Sequence, residues 1–159
     1  MSDSFDENSI ETRIDNYIAS DPLEIAMTSL SEIEELSSFK WSELVSNIKQ
    51  GKFQLIAMGK SPRSFHIVAN QAQESGQKLF NVLGISLTIL AIGLAVSIDW
   101  RLILIAVLAP YMFKTAKGFY SQAILQGAWH SEKSFSFLFS RGVIGLVGHK
   151  GMIFHTLYK

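Results

Sequence analysis

The residues whose types could do chemistry in this sequence are four histidines (His66, His130, His149 and His155), a Gly59-Lys60-Ser61 triplet, and an acidic cluster containing Glu32, Glu34 and Glu35. A zinc helix needs two histidines at i and i+4, so that both imidazoles reach one ion; no pair here has that spacing. His130-Ser131-Glu132 lacks it too, and His66 reads as a surface or interfacial side chain. A phosphate-cradling loop needs a further glycine five positions before Gly59, but Gln54 stands there, and Pro62 removes another amide. No G-x-S-x-G elbow presents a serine as nucleophile. The chain has no cysteine, which excludes disulfides, thiolate metal sites and cysteine nucleophiles. Paired carboxylates occur only on an acidic helical surface. The expectation is a protein with no catalytic constellation, no metal, no cofactor and no small-molecule substrate, hence no enzyme.

What the sequence builds instead is a surface for lipid. The stretch Leu79 to Phe113, LFNVLGISLTILAIGLAVSIDWRLILIAVLAPYMF, carries only Asp99 and Arg101 as formal charges. Leu79 to Ile98 is 20 residues without a charge, about 30 Å as a helix and one hydrocarbon core thick. In hydrocarbon the backbone must satisfy itself, so such a run spans as helix. A second apolar run, Leu102 to Phe113, follows after Asp99, Trp100 and Arg101. Its 12 residues make only about 18 Å of α-helix. Lys114 and Lys117 can extend it by snorkelling, and Pro110 is expected to kink it. The fold class expected is a mainly α membrane protein: a transmembrane helical hairpin over residues 79–117, N-terminal amphipathic helices, and a small C-terminal helix plus β-hairpin.

Basic residues orient the hairpin. Lys60, Arg63 and Lys78 precede it and Lys114, Lys117 and Lys133 follow it, whereas the tip offers Arg101 beside Asp99. The positive-inside rule places both termini in the cytoplasm, in an inner membrane if the source is bacterial. Lys78, Trp100, Arg101, Tyr111, Lys114, Lys117 and Tyr120 are the residues expected at the membrane interfaces. Within the first arm Asn81, Gly84, Thr88, Ala91 and Ala95 step by 3, 4, 3 and 4. Small residues on one helical stripe let backbones approach closely, and Ala106 and Ala109 offer a matching patch on the second arm.

The flanks divide by charge. Residues 1–50 hold 3 basic side chains against 11 acidic ones, and residues 51–159 hold the reverse. The acidic half is a poor nucleic-acid binder, so no nucleic-acid partner is expected, and the basic half sits where anionic headgroups would be. Residues 1–20 read as a mobile acidic N-terminus without a signal peptide. Residues 21–78 read as amphipathic helices and a stalk. The first opens at Asp21-Pro22, the second runs from about Phe39 to Gly51, and a third is capped by Ser61-Pro62 and broken near Gly76. FQLIAM, residues 53–58, fits a short strand or a helix end. In residues 118–159, a helix ends at Gly127 and Ser131 caps a second that stops at Gly142. VIGLV and MIFHTLY then flank a GHKG turn as a β-hairpin.

The function class this implies is a non-catalytic membrane subunit or adaptor. Its hairpin sits in the lipid bilayer, and its tails bind other subunits or a second copy. Glu32, Glu34 and Glu35 on an acidic helix, and Phe135, Leu138 and Phe139 on a Phe-rich one, are the candidate partner-binding residues. The competing class is a pore-forming protein that shelters the hairpin until it inserts.

Overall fold

The computed structural model describes residues 7–20, 27–34, 36–58, 61–148 and 153–154. They fall into two compact units. The first is built from the segments up to Val68 and from Ala123 onward; the second is Ala69–Gln122. The protein is mostly helical, with one small antiparallel sheet.

In the first unit, α1 (Glu7–Ser20) is followed by a 3-10 turn at Leu30–Glu32, α2 (Trp41–Lys49), β1 (Phe53–Ala57) and α3 (Pro62–Val68). The returning segment supplies α6 (Glu132–Ser140), β2 (Ile144–Gly148) and β3 (Ile153–Phe154). The sheet order is β1-β2-β3. Strand β2 is therefore central, paired with β3 on one edge and β1 on the other, Phe53 opposite Gly148 and Ala57 opposite Ile144. Sequence patterning identified β2 and β3 as a hairpin. The pairing with β1 is a non-local contact that closes the hairpin's open edge, which a two-stranded ribbon needs for stability in water.

Local signals explain most element ends. Gly51 follows α2 with φ +74° and Gly142 follows α6 with φ +62°, the left-handed conformation that ends helices at glycine. Ser61 Oγ accepts the Ser64 N–H at 3.2 Å ahead of α3, and Ser131 Oγ accepts the Ser134 N–H at 3.2 Å ahead of α6. Gly59 and Lys60 of the Gly-Lys-Ser triplet lie outside the described residues.

Three expectations are corrected. The acidic N-terminus was expected to be mobile, but Glu7–Ser20 form a helix that buries Ile10 and Ile14. Two isoleucines one turn apart are enough to anchor it, a period that the surrounding acids mask. The acidic helix expected from Asp21 does not extend over the described residues 27–34, which hold only the 3-10 turn; Asp21–Ala26 and Glu35 lie outside them. There Ser29 is the cap and Glu32 Oε2 takes the Thr28 N–H at 2.7 Å, so local side-chain bonds compete successfully with helix. The stalk helix breaks at Ala69–Asn70 and not at Gly76, because Asn70 and Gln73 form a reciprocal capping box at 2.8 and 3.0 Å that starts a new helix. The helix expected to end at Gly127 ends one residue later, as α5 (Ala109–Ala128), with the Val68 side chain against Gly127.

The core centres on α6. Every residue from Ser134 to Ser140 is buried, so this helix is covered on all sides, not amphipathic. Phe135 stacks on Phe139 at 5.8 Å and meets Trp41 at 5.5 Å; Phe137 takes the Tyr17 ring edge-on at 5.9 Å. The Arg141 guanidinium lies 4.5 Å above the Tyr17 ring and 4.6 Å above Phe137. Alternating serines fill the space between phenylalanines. Ser134 Oγ donates to the Gly127 carbonyl at 2.7 Å and Ser140 Oγ to the Phe137 carbonyl at 3.1 Å. The buried Ser136 hydroxyl has no hydrogen-bond partner among the described residues. Ser136→Ala is therefore expected to leave stability unchanged or raise it by up to about 1 kcal/mol, whereas Ser134→Ala should lose about 1–2 kcal/mol. A urea midpoint, read by tryptophan fluorescence, that falls for Ser134→Ala and does not fall for Ser136→Ala would check this; equal losses would contradict it.

Candidate membrane-facing surface

The second unit is two antiparallel arms. The first is α4 (Gln71–Ser97); the second is a 3-10 helix, Trp100–Leu108, that passes into α5. Direction follows from two contacts. The Phe119 ring lies against Gly76 and the Phe113 ring against Gly84, so one arm ascends as the other descends. Phe80 also stacks on Phe119 at 5.7 Å.

Arm two is not a plain α-helix, and Pro110 accounts for where its 3-10 run ends. Proline has no N–H, so in an α-helix the Ala106 carbonyl would lose its partner. The Ala109 N–H takes that carbonyl instead, an i→i+3 bond that closes the 3-10 run, and Pro110 then sits in the first turn of α5. Rise per residue grows from about 1.5 Å to about 2.0 Å in the 3-10 run. From Lys117 to Trp100 the second arm thus covers about 12 Å of α-helix and about 18 Å of 3-10 helix. The first arm covers about 30 Å from Lys78 to Ile98. The arms match in length although one has fewer residues.

The seam is small against large. Gly84 and Ala91 are buried, Asn81, Thr88 and Ala95 half-buried, and on the other arm Ala109 is buried and Ala106 half-buried. The expected partner of Gly84 was an alanine patch; its actual partner is the Phe113 ring, which takes the room a missing side chain leaves. With the rises above, Ala109 stands level with Thr88, and Ala106 level with Ala91 and Ile92. Thr88 is satisfied within its own helix, its hydroxyl donating to the Gly84 carbonyl at 2.9 Å.

The outer faces carry the chemistry that matters. Val82, Ile85, Ile89, Ile92, Val96 and Ile98 are all more than half exposed, and Leu104 and Val107 continue the surface on the other arm. Only 11% of the most apolar 18-residue window of α4 is buried, so this is not the core helix of a globular domain. Among the described residues α4 alone is long and apolar enough to cross a membrane. The two-span hairpin expected from the sequence is not established by the fold. Of the interface residues, Lys78, Trp100, Arg101, Tyr111, Lys114 and Lys117 are exposed and Tyr120 is half-buried. Asp99 caps the 3-10 helix, its carboxylate accepting the Arg101 N–H at 2.9 Å, as a solvated turn would.

The partner-binding candidates separate. Glu32 and Glu34 are exposed on the first unit, and Glu35 lies outside the described residues. Phe135, Leu138 and Phe139 form no surface, because each is at most 1% exposed. A seven-residue apolar-and-serine run looks like an aromatic docking face until its serines, too, are found buried. Glu132 was not singled out from the sequence, yet its Oε1 accepts the Leu30 N–H at 3.2 Å and the Ser29 hydroxyl at 3.3 Å, tying the 3-10 turn to α6. Lys133 pairs with Asp15 of α1. No group of His, Asp and Glu among the described residues could hold a metal ion. Comparison with family models, curated proteins and solved structures yields no match, so nothing is carried over from a relative.

Proposed function

We propose that this protein is a non-catalytic membrane adaptor. In this reading the two arms cross the bilayer as a hairpin, and the first unit is held at the cytoplasmic face to bind another component of an assembly. The observation that carries it is the joint one of an apolar helix left bare and a single folded unit that the chain leaves before the two arms and re-enters after them. Strand β1 precedes the arms in sequence, β2 follows them, and the two are hydrogen-bonded neighbours. Two segments of one sheet stand on one side of a membrane, so the chain between them crosses an even number of times. One crossing by α4 then requires a second by the other arm. Its length of about 30 Å suits a hydrocarbon core. The lysines near the base and the balanced Asp99–Arg101 tip favour a cytoplasmic first unit.

The exposed carboxylates Glu32 and Glu34 suit a basic partner, with the rate of encounter enhanced at low salt. A pore-forming protein is the second reading. Against it, the large apolar side chains of α4 stand exposed where a soluble precursor would shelter them.

Reporter fusions at either end of the chain and at Trp100 test the topology, with both ends expected cytoplasmic and Trp100 on the far side. Pull-down from detergent tests the adaptor role: a partner is expected, with binding weakened at low salt by charge reversal at Glu32 and Glu34. Ion conductance by the purified protein alone in liposomes, with no partner recovered, would replace the adaptor by the pore.

A further inference from the structure

The antiparallel register brings together charges that lie far apart in sequence. Lys78 stands two residues beyond Gly76 on one arm, and Lys117 stands two residues before Phe119 on the other. Because the Phe119 ring rests on Gly76, both lysines sit about 3 Å toward the tip from one contact, at a common depth. Lys114 is one turn deeper on α5, within reach of the same level through its flexible stem. All three are exposed, and none has an ion pair or hydrogen bond among the described residues. The bare apolar surface begins beside Lys78 at Leu79, which is 56% exposed. At the other end of the arms Arg101 is offset by its neighbour Asp99, so positive charge is concentrated at one end only.

We infer that Lys78, Lys114 and Lys117 form a collar that binds the headgroups of anionic phospholipids, giving the protein a preference for acidic over zwitterionic lipid. The inference rests on the membrane reading above and adds the identity of the lipid. The chemistry shared by lipid and soluble ligands is a phosphate anion. Headgroups are favoured as the source because the lysines border an apolar surface that would lie against the acyl chains. The binding is electrostatic, so salt screens it.

The test uses the full chain purified in a neutral detergent and titrated with dioleoyl phosphatidylglycerol, dioleoyl phosphatidylcholine or inorganic phosphate, with bound molecules counted by native mass spectrometry. Phosphatidylglycerol is expected to bind roughly tenfold or more tightly than phosphatidylcholine at low salt. That preference should collapse in about 0.5 M salt. It should vanish in the K78Q/K114Q/K117Q triple variant and persist in the corresponding triple arginine variant. Lys49→Gln with Lys52→Gln, two exposed lysines of the first unit, should leave it intact. A preference that survives the triple glutamine variant overturns the inference, as does displacement of phosphatidylglycerol by equimolar inorganic phosphate, which marks a soluble-phosphate site. Detergent removal in the presence of phosphatidylcholine vesicles separates the two levels of failure. A chain left in the aqueous phase sinks the membrane reading and the collar together. A chain that enters the vesicles without any acidic-lipid preference sinks only the collar.

Discussion

Phe135→Ala is expected to destabilise the first unit strongly without changing how the chain partitions between membrane and aqueous phase. The ring is buried to 1% exposure, stacked on Phe139 and packed against Trp41, so truncation removes transfer energy and leaves a cavity beside those two aromatic groups. Phe→Ala changes of this kind cost about 3–5 kcal/mol. A folded domain has about 5–15 kcal/mol in total, so the loss takes a large fraction of the margin. The α4 surface is untouched by the change, so in the membrane reading proposed above its partition into lipid would be unaltered. Limited proteolysis should therefore cut the first unit rapidly, the urea midpoint should fall, and carbonate extraction should still leave the protein in the membrane pellet. Phe135→Leu, which keeps most of the volume, should cost much less. A variant that kept the parental midpoint but lost a partner would make Phe135 a docking residue after all, against its burial.

The second large effect is expected from the smallest change, Gly127→Ala. A β-carbon at this position would come 2.5 Å from the Val68 Cβ and 3.0 and 3.1 Å from its two methyl groups. Val68 is fully buried and branches at the clashing atom, so no rotamer change relieves the overlap; α3 and α5 would have to separate. Overpacking of this sort costs about 1–3 kcal/mol or more. It outweighs the helix-propensity gain of about 1 kcal/mol that alanine brings. That gain should appear undiminished at Gly118, where a β-carbon meets nothing within 4 Å. Gly84→Ala should fall between these cases. Its clash at 2.9 Å is with the edge of the Phe113 ring, which is 37% exposed and has room to turn. Urea or thermal midpoints of the three variants should rank Gly118→Ala above Gly84→Ala above Gly127→Ala. Val68→Ala should barely rescue Gly127→Ala, since the offending Cβ remains. A neutral Gly127→Ala would mean that the close approach of these helices is not rigid.

The parts of this protein that could be read from sequence are those whose cause is local. A charge-free run of 20 residues announces an apolar helix because the hydrocarbon length it matches is a property of the run itself. Ser61, Ser131, Gly51 and Gly142 mark helix ends because a hydroxyl cap or a left-handed glycine acts within one turn. The strand pattern of residues 144–148 was visible for the same reason, as was the lack of any catalytic motif. Acidic composition misled at residues 7–20, where the two buried isoleucines count for more than the charges around them.

Tertiary structure decided whatever depends on two distant segments meeting. Strand β1 joins β2 only after both arms have turned back, and that pairing, not any local propensity, puts both flanks of the arms in one unit. Phe135 and Phe139 became core and not docking surface because burial is set by what packs over a helix from elsewhere, here Trp41 from α2. The second arm reached the length of the first because Trp100–Leu108 wind as a 3-10 helix whose longer rise makes up for missing residues, and Pro110 sets where that run ends. Lys78 and Lys117 share a depth because Phe119 fills the space above Gly76. Sequence supplied the residue types for each of these outcomes; the contacts that selected them exist only once the chain has folded, since packing energy is paid between neighbours in space.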